Sequence, residues 1–126
     1  MDEHEVIRDE ESFVRAAFVA HALSHPVRLA ILNMLDEDGL YVTDLARTLG
    51  RLQANISQHL MVLRDAGLVV AEREGMNVRY KLAHPRVKEF LARLESLAQD
   101  LGLREDEWPV RPWRRGWKRR RRRGHR

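Results

Sequence analysis

The segment 53–66 pairs an apolar side with a side of uncharged polar groups. At the 100° that an ideal α-helix turns per residue, four apolar residues fall within about 80° of one another. They are Leu52, Ile56, Leu60 and Leu63. The spacing predicts a helix with one side in the core and a chemically different side facing outward.

The outward side of this predicted helix carries amides, a hydroxyl and small or unbranched groups. Its members are Gln53, Ala54, Ser57, Gln58 and Met61. Glutamine can pair with adenine, serine can bond to either kind of groove atom, and an alanine methyl can meet a thymine methyl. A merely solvated helix usually carries Glu and Lys, whereas this one has no charge before Arg64. We therefore predict that Gln53, Ala54, Ser57 and Gln58 read base edges in the major groove of duplex DNA.

Two other polar residues of this helix fall away from that surface. His59 lies on the apolar side, so we expect a packed, hydrogen-bonded histidine rather than a base contact. Asn55 lies between the two sides and can cap, pack or touch a phosphate.

A shorter helix is predicted just before segment 53–66. Thr43 is a good N-cap, and Gly50 is placed to end the helix in the left-handed conformation. Two short helices joined by a tight glycine-containing turn are typical of a helix-turn-helix. In that arrangement Thr43, Arg51 and Asn55 are expected to contact the DNA backbone.

Two runs rich in β formers follow, at 68–74 and 78–82, separated by a glycine-containing turn at 75–77. They predict a hairpin. Its outward basic residues are Arg73, Arg79 and Lys81. A basic hairpin can straddle the backbone and reach a minor groove, whose electronegative floor attracts arginine. Glu72 and Glu74 keep open the alternative of a solvated hairpin.

Three more helices complete the predicted order ααααββα. The first runs from about Asp9 to Leu23, the second begins at Pro26, and Pro85 opens the last. The last helix carries an apolar stripe longer than a small monomer needs.

Charge is unevenly distributed along the 126 residues. Residues 111–126 hold ten of the 23 Lys and Arg and no acid, so 13 bases face all 19 acids in residues 1–110, a net charge of −6. Within that acidic part, residues 39–86 carry a net charge of +3. The middle segment and the tail are therefore the parts expected to contact a polyanion.

The chain is divided into an acidic N-terminal segment (1–8), a folded domain (9–103) and a Trp- and Arg-rich tail (104–126). The tail is either a solvated arm or a nucleic-acid arm; binding to an anionic membrane is a weaker alternative. We expect the nucleic-acid arm. Its contacts are assigned to Arg114, Arg115, Lys118, Arg119 and Arg120.

Several protein classes are disfavoured. The chain has no cysteine, which excludes disulfides, thiolate metal sites and cysteine nucleophiles. No apolar run has the length of a bilayer span, so we expect a cytoplasmic protein. No nucleophile, base and orienting group recur in a recognisable spacing, and no glycine-rich phosphate loop occurs, so neither an enzyme nor a cofactor is expected.

In their order and spacing, four motifs resemble the ArsR/SmtB family of winged-helix repressors. They are ALSHPVRL at 22–29, VTDLA at 42–46, ISQHLMVLRDAGLV at 56–69 and VRYKL at 78–82. The resemblance implies a mainly α (α+β) winged helix-turn-helix, a two-fold symmetric operator, and a homodimer formed by the first and last helices. The implied interface residues are Phe13, Ala17, Phe90, Leu94, Leu97 and Leu101.

The sequence departs from the metal-sensing members of that family. Many of them hold thiolates where this chain has residues 41–43, and others place ligands along the last helix, where residues 87–99 contain no histidine. His21 and His25 have the i, i+4 spacing that could bridge a metal ion, but Pro26 breaks the helix there and His25 belongs to the ALSHPVRL motif. We therefore expect no metal site, and the effector stays unidentified.

Together these features predict a sequence-specific regulator of transcription, expected to be a repressor, whose partners are double-stranded DNA and a second copy of the chain. The alternative is a general architectural DNA- or RNA-binding protein that uses the tail without an operator. A large preference for one palindrome over random duplex distinguishes the two.

Overall fold

The computed structural model describes residues 3–102 and 104, with side chains from Asp9 onward. The elements in chain order are α1 (Glu3–Leu23), α2 (Pro26–Met34), β1 (Leu40–Tyr41), α3 (Val42–Leu49), α4 (Gln53–Asp65), β2 (Val69–Glu74), β3 (Asn77–Leu82) and α5 (Arg86–Asp100). The chain divides between Val87 and Lys88 into two compact units. The predicted contacts in the tail lie outside the described residues.

The predicted helices and hairpin are confirmed, with one strand added. β1 pairs antiparallel with β3, Leu40 opposite Tyr80 and Tyr41 opposite Arg79, which gives a three-stranded sheet in the order β1-β3-β2. The two residues of β1 are too few to show the alternation of apolar and polar residues that marks a strand, so the sequence did not predict it. α1 begins at Glu3 rather than near Asp9, in keeping with the preference of acidic side chains for a helix N-terminus.

α2 begins with a histidine cap. His25 has an extended backbone, its Nδ1 accepts a hydrogen bond from the Val27 N–H at 3.1 Å, and Pro26 occupies the first turn. Proline suits that position because its missing N–H has no helical partner there. The helix then buries Val27, Ile31 and Leu32.

The start of α3 corrects one prediction. Thr43 is not the N-cap: the extended chain of β1 continues to Tyr41, so the helix begins at Val42 and Thr43 lies exposed in its first turn. The Asp44 carboxylate accepts a hydrogen bond from the Tyr41 N–H at 3.2 Å and stabilises this end. The predicted end at Gly50 is confirmed, with φ +63°.

The hairpin turns through two residues rather than three. Glu74 pairs with Asn77, which leaves Gly75 and Met76 in the loop. Gly75 has φ +60°, and Met76 does not have a positive φ. This matches a turn with glycine in its first central position, whose twist suits antiparallel strands.

The core of residues 3–87 lies among the helices and the first residue of β2. Its largest fully buried side chains are Val27, Ile31, Leu32, Leu35, Leu45, Ile56, Leu60, Leu63 and Val69. Each such aliphatic side chain stabilises the fold by roughly 1.5–3 kcal/mol relative to full exposure. Four helices contribute to this core, since α1 adds Ala22 and Leu23, and it therefore holds α4 in place.

Apolar side chains remain exposed on two helices, each considered by itself. On α1 they are Phe13, Val14, Ala17 and Phe18; on α5 they are Phe90 and Leu97, with Leu94 half-buried, and Leu101 is exposed directly after the helix. No residue of α5 is buried. Among the described residues, no helix has the combination of length and apolar character that crossing a bilayer requires.

Candidate nucleic-acid interface

α4 has the two sides that the sequence predicts. Ile56, Leu60 and Leu63 are buried. The opposite surface is exposed and consists of Gln53, Ala54, Ser57, Gln58 and Met61. The structure thus brings the four predicted base-reading residues together on an outer helix surface without charge.

The ends of α4 are held by backbone hydrogen bonds. In the turn before it, the Arg51 N–H donates to the Ala46 carbonyl at 2.9 Å. The Arg51 guanidinium also reaches the Asn55 side-chain oxygen, Nη1 to Oδ1 being 3.4 Å. After the helix, Gly67 has φ +77° and the Leu68 N–H bonds to the Leu63 carbonyl at 3.0 Å. These bonds fix the entry and exit of the chain around the predicted reading surface.

The prediction that Leu52 lies on the core side of α4 is wrong, because its side chain is 80% exposed. It is the N-cap of α4, with φ −68° and ψ 145°. The angular arithmetic holds only for residues with helical backbone, and Leu52 lies outside the helix. Its extended backbone takes the side chain off the position that the arithmetic gave.

A cluster of basic side chains lies where the buried side of α4 meets the start of α2; it consists of His25, Arg28 and His59. His59 is only 9% exposed, as expected for a packed histidine. Arg28 Nη1 donates a hydrogen bond to His59 Nδ1 at 3.3 Å, and the His25 and His59 rings lie 4.5 Å apart between centroids. Nδ1 must be unprotonated to accept that bond, so the neutral ring is the form the cluster accommodates.

The same surroundings lower the pKa of His59 to about 4. Burial is the largest cause, followed by the nearby charges of His25, Arg28 and Arg51. Burial also lowers the pKa of His25, with further contributions from Arg28 and Arg51. Both shifts follow from the cost of placing an additional positive charge in a partly desolvated, already cationic cluster.

Arg28 joins three helices and was not singled out by the sequence. From α2 it donates through Nε to the Ala22 carbonyl at 2.6 Å and through Nη2 to the His21 carbonyl at 3.3 Å, both at the end of α1. Those carbonyls belong to the last helical turn, where the helix itself supplies few donors; the His21 carbonyl also accepts from the Ser24 N–H at 3.1 Å. With its bond to His59, Arg28 therefore ties the end of α1 to α4.

A second cluster connects the hairpin to the start of α3. The Tyr41 hydroxyl donates to Glu74 Oε2 at 2.8 Å and accepts from Arg79 Nη2 at 2.9 Å. Arg79 also forms an ion pair with Glu74 at 3.1 Å and donates through Nη1 to the Asp38 carbonyl at 2.9 Å. The Tyr41 hydrogen bond and the Arg79 charge lower the pKa of the Glu74 carboxyl.

The other predicted hairpin cations differ in their surroundings. Lys81 forms an ion pair with Glu72 at 3.1 Å. Arg73 is exposed and makes no ion pair within the part of the chain that the structure describes. Glu74 and Glu72, which in sequence suggested a solvated hairpin, are thus the partners of Arg79 and Lys81. Opposite charges on neighbouring strands attract each other in this way. Arg73 is the hairpin cation most available to a phosphate.

Within the described region, no three His, Asp or Glu side chains are grouped closely enough to hold a metal ion. The hairpin tip carries Met76, which is 97% exposed.

Residues 23–72 match the family model described as a helix-turn-helix domain. The chain is 40% identical over 83 residues to the HTH-type transcriptional regulator NmtR of Mycobacterium tuberculosis (strain ATCC 25618 / H37Rv). That alignment covers 66% of this chain and 69% of NmtR.

Two solved structures show the same architecture. One is the solution NMR structure of the homodimeric winged helix-turn-helix DNA-binding domain of Mb0332 from Mycobacterium bovis, a possible ArsR-family transcriptional regulator. Its TM-score is 0.67 at 30% identity, covering 74% of this chain and 86% of that one. Reduced HlyU from Vibrio cholerae N16961 gives a TM-score of 0.63 at 34% identity, covering 71% and 95%. The chain therefore belongs to the ArsR/SmtB family of winged helix-turn-helix transcriptional regulators.

Proposed function

We propose that this protein is a transcriptional repressor that binds a specific two-fold symmetric site in duplex DNA as a homodimer. The observation that carries the proposal is the outer surface of α4, which is uncharged, rich in amides and exposed, on a helix whose other side is buried. Side chains of this kind can pair with base edges, whereas charged ones chiefly bind phosphates.

The proposed contacts fall into two groups. Base reading is assigned to Gln53, Ala54, Ser57 and Gln58, which lie within two turns of α4. Backbone contacts are assigned to Thr43, Arg51, Asn55, Arg73, Arg79 and Lys81. Among the hairpin cations Arg73 has the strongest support, because Arg79 and Lys81 are bound to carboxylates of the same hairpin.

The homodimer is supported by the Mb0332 domain, which is described as homodimeric. The proposed interface consists of apolar side chains of α1 and of α5 with the residue after it. They are Phe13 and Ala17, and Phe90, Leu94, Leu97 and Leu101. Burying such side chains offers the gain that a dimer needs. A two-fold dimer would place its two α4 helices roughly 34 to 36 Å apart, one turn of DNA.

The basic tail is proposed to add affinity without specificity. Arg114, Arg115, Lys118, Arg119 and Arg120 are assigned to nucleic-acid contacts on their charge. Each lost phosphate contact is expected to lower the slope of log K against log salt by ~0.9. Deleting residues 111–126 should therefore weaken binding to all duplexes alike and flatten the salt dependence.

The decisive experiment begins with selection of bound sequences from a random duplex pool. The triple variant Gln53→Ala, Ser57→Ala, Gln58→Ala is then compared with wild type on the selected site and on random duplex. Each lost base contact is expected to cost roughly 1 to 3 kcal/mol on the selected site. Gln99→Ala, which removes an exposed amide from α5, is the matched control and should keep full discrimination.

Two results would count against the proposal. A triple variant that still prefers the selected site as strongly as wild type would remove α4 from sequence reading. Near-equal binding of wild type to all duplexes would instead favour a general architectural DNA- or RNA-binding protein that relies on its basic tail.

A further inference from the structure

Leu52 is a residue whose place in the fold has no stabilising explanation. It is the N-cap of α4, its side chain makes no capping hydrogen bond, and it is 80% exposed. Ser, Thr, Asp and Asn are preferred at an N-cap because their oxygens accept from the free N–H groups of the first turn. A leucine there provides no such acceptor and, being exposed, gains little from burial.

Such local violations of the stability rules are expected at functional positions. The N-terminal residues of the second helix are the ones that contact base edges in helix-turn-helix proteins. Leu52 directly precedes Gln53 and Ala54 of the proposed reading surface. Its neighbours in the chain are the polar Arg51 and Gln53, so in sequence it is a single apolar group rather than part of an apolar run.

We propose that Leu52 determines specificity by packing against the 5-methyl group of a thymine in each half-site. The methyl group is the apolar feature of the major groove, and an aliphatic side chain is its natural partner. Along the chain Leu52 and Ala54 precede and follow Gln53, so the proposal adds an apolar contact next to that of the Ala54 methyl. This inference rests on the proposed function, because it requires α4 to enter the major groove.

A methyl-deletion cycle tests the proposal. In the site selected from random duplexes, each thymine is replaced in turn by deoxyuridine, which removes the methyl group alone. Wild type and Leu52→Ala are measured on both versions. At one thymine per half-site, wild type should bind roughly fourfold more weakly for each methyl removed. Leu52→Ala should be weakened on thymine and show no further loss on deoxyuridine.

Two variants separate specificity from stability. Leu52→Ser supplies an N-cap oxygen and should raise the thermal unfolding midpoint by roughly 4 °C, while abolishing sensitivity to the methyl. Val70→Ala shortens another partly exposed apolar residue, 44% exposed on β2, and should leave the methyl sensitivity as in wild type.

Additive losses in the cycle, or a Leu52→Ala protein that keeps the methyl sensitivity, would overturn the inference. A Leu52→Ala protein whose only defect is weaker dimerisation would overturn it as well. The proposed function fails separately: in that case no preferred duplex emerges from selection. If a site is selected and depends on Gln53 and Gln58 but has no Leu52-dependent methyl, only the inference about Leu52 is lost.

Discussion

Acidification should destabilise this protein through His59. The folded environment lowers the pKa of this ring from 6.5 to about 4. The unfolded chain therefore binds the proton more readily than the folded chain. The stability that comes from a neutral His59 is fully present above about pH 6.5 and is lost as the pH falls toward 4.

The expected magnitude follows from the two pKa values. The full difference corresponds to about 3 kcal/mol, of which ~2 kcal/mol is lost by pH 5. The groups facing the ring are His25, Arg28 and Arg51, all basic. The lowered pKa of His25 acts in the same direction and adds to the loss. For a domain whose total stability is roughly 5 to 15 kcal/mol, the effect is large enough to measure.

Urea denaturation at a series of pH values between about 7.5 and 5 measures the loss of unfolding free energy. His59→Gln removes the titrating ring, so its unfolding free energy should fall less steeply with acid than that of wild type. The matched control is His21→Gln, which changes an exposed histidine on α1 and should keep the wild-type pH dependence. The comparison uses the change of unfolding free energy with pH, so a lower absolute stability of His59→Gln does not obscure it.

Two results would refute the reasoning. One is equal loss of stability by wild type and His59→Gln over this pH range. The other is direct observation, by NMR of the imidazole protons, that His59 in the folded protein titrates near 6.5. Either would mean that the Arg28 hydrogen bond and burial do not favour the neutral ring.

Three further predictions concern stability and are checked by denaturant or thermal unfolding. Tyr41→Phe removes the hydroxyl between Arg79 and Glu74 and should lower the unfolding midpoint slightly; an unchanged midpoint would contradict the cluster. Gly39→Ala should cost roughly 2 kcal/mol, because Gly39 has φ +80° and a Cβ there would lie 2.8 Å from a backbone carbonyl oxygen. A wild-type melting curve would count against that strain. Ile56→Ala, at a fully buried position, should cost about 2–5 kcal/mol, and a cost below 1 would show a less packed core.

Local patterns in the sequence were sufficient for much of the fold. The period of 3.6 residues placed Ile56, Leu60 and Leu63 on one side of α4, and the reading surface on the other. Gly50 marked the end of α3, because a positive φ there suits glycine. These features depend on residues close in the chain, where spacing alone decides which side chains share a side.

Tertiary structure decided which groups meet over long separations. Arg28 and His59 are 31 residues apart in sequence, and Arg79 reaches a carbonyl 41 residues away. Nothing in local spacing predicts such contacts, yet Arg28 contributes to the lowered pKa of His59, after burial and His25, and Arg79 attaches the hairpin to the chain before β1. The exposure of Leu52 has a local cause instead: its backbone at the N-cap is extended, so the angular positions of a helix do not apply to its side chain. The sequence by itself determined which residues share a side of each helix. The approach of distant segments determined which hydrogen-bond partners and charged groups surround them.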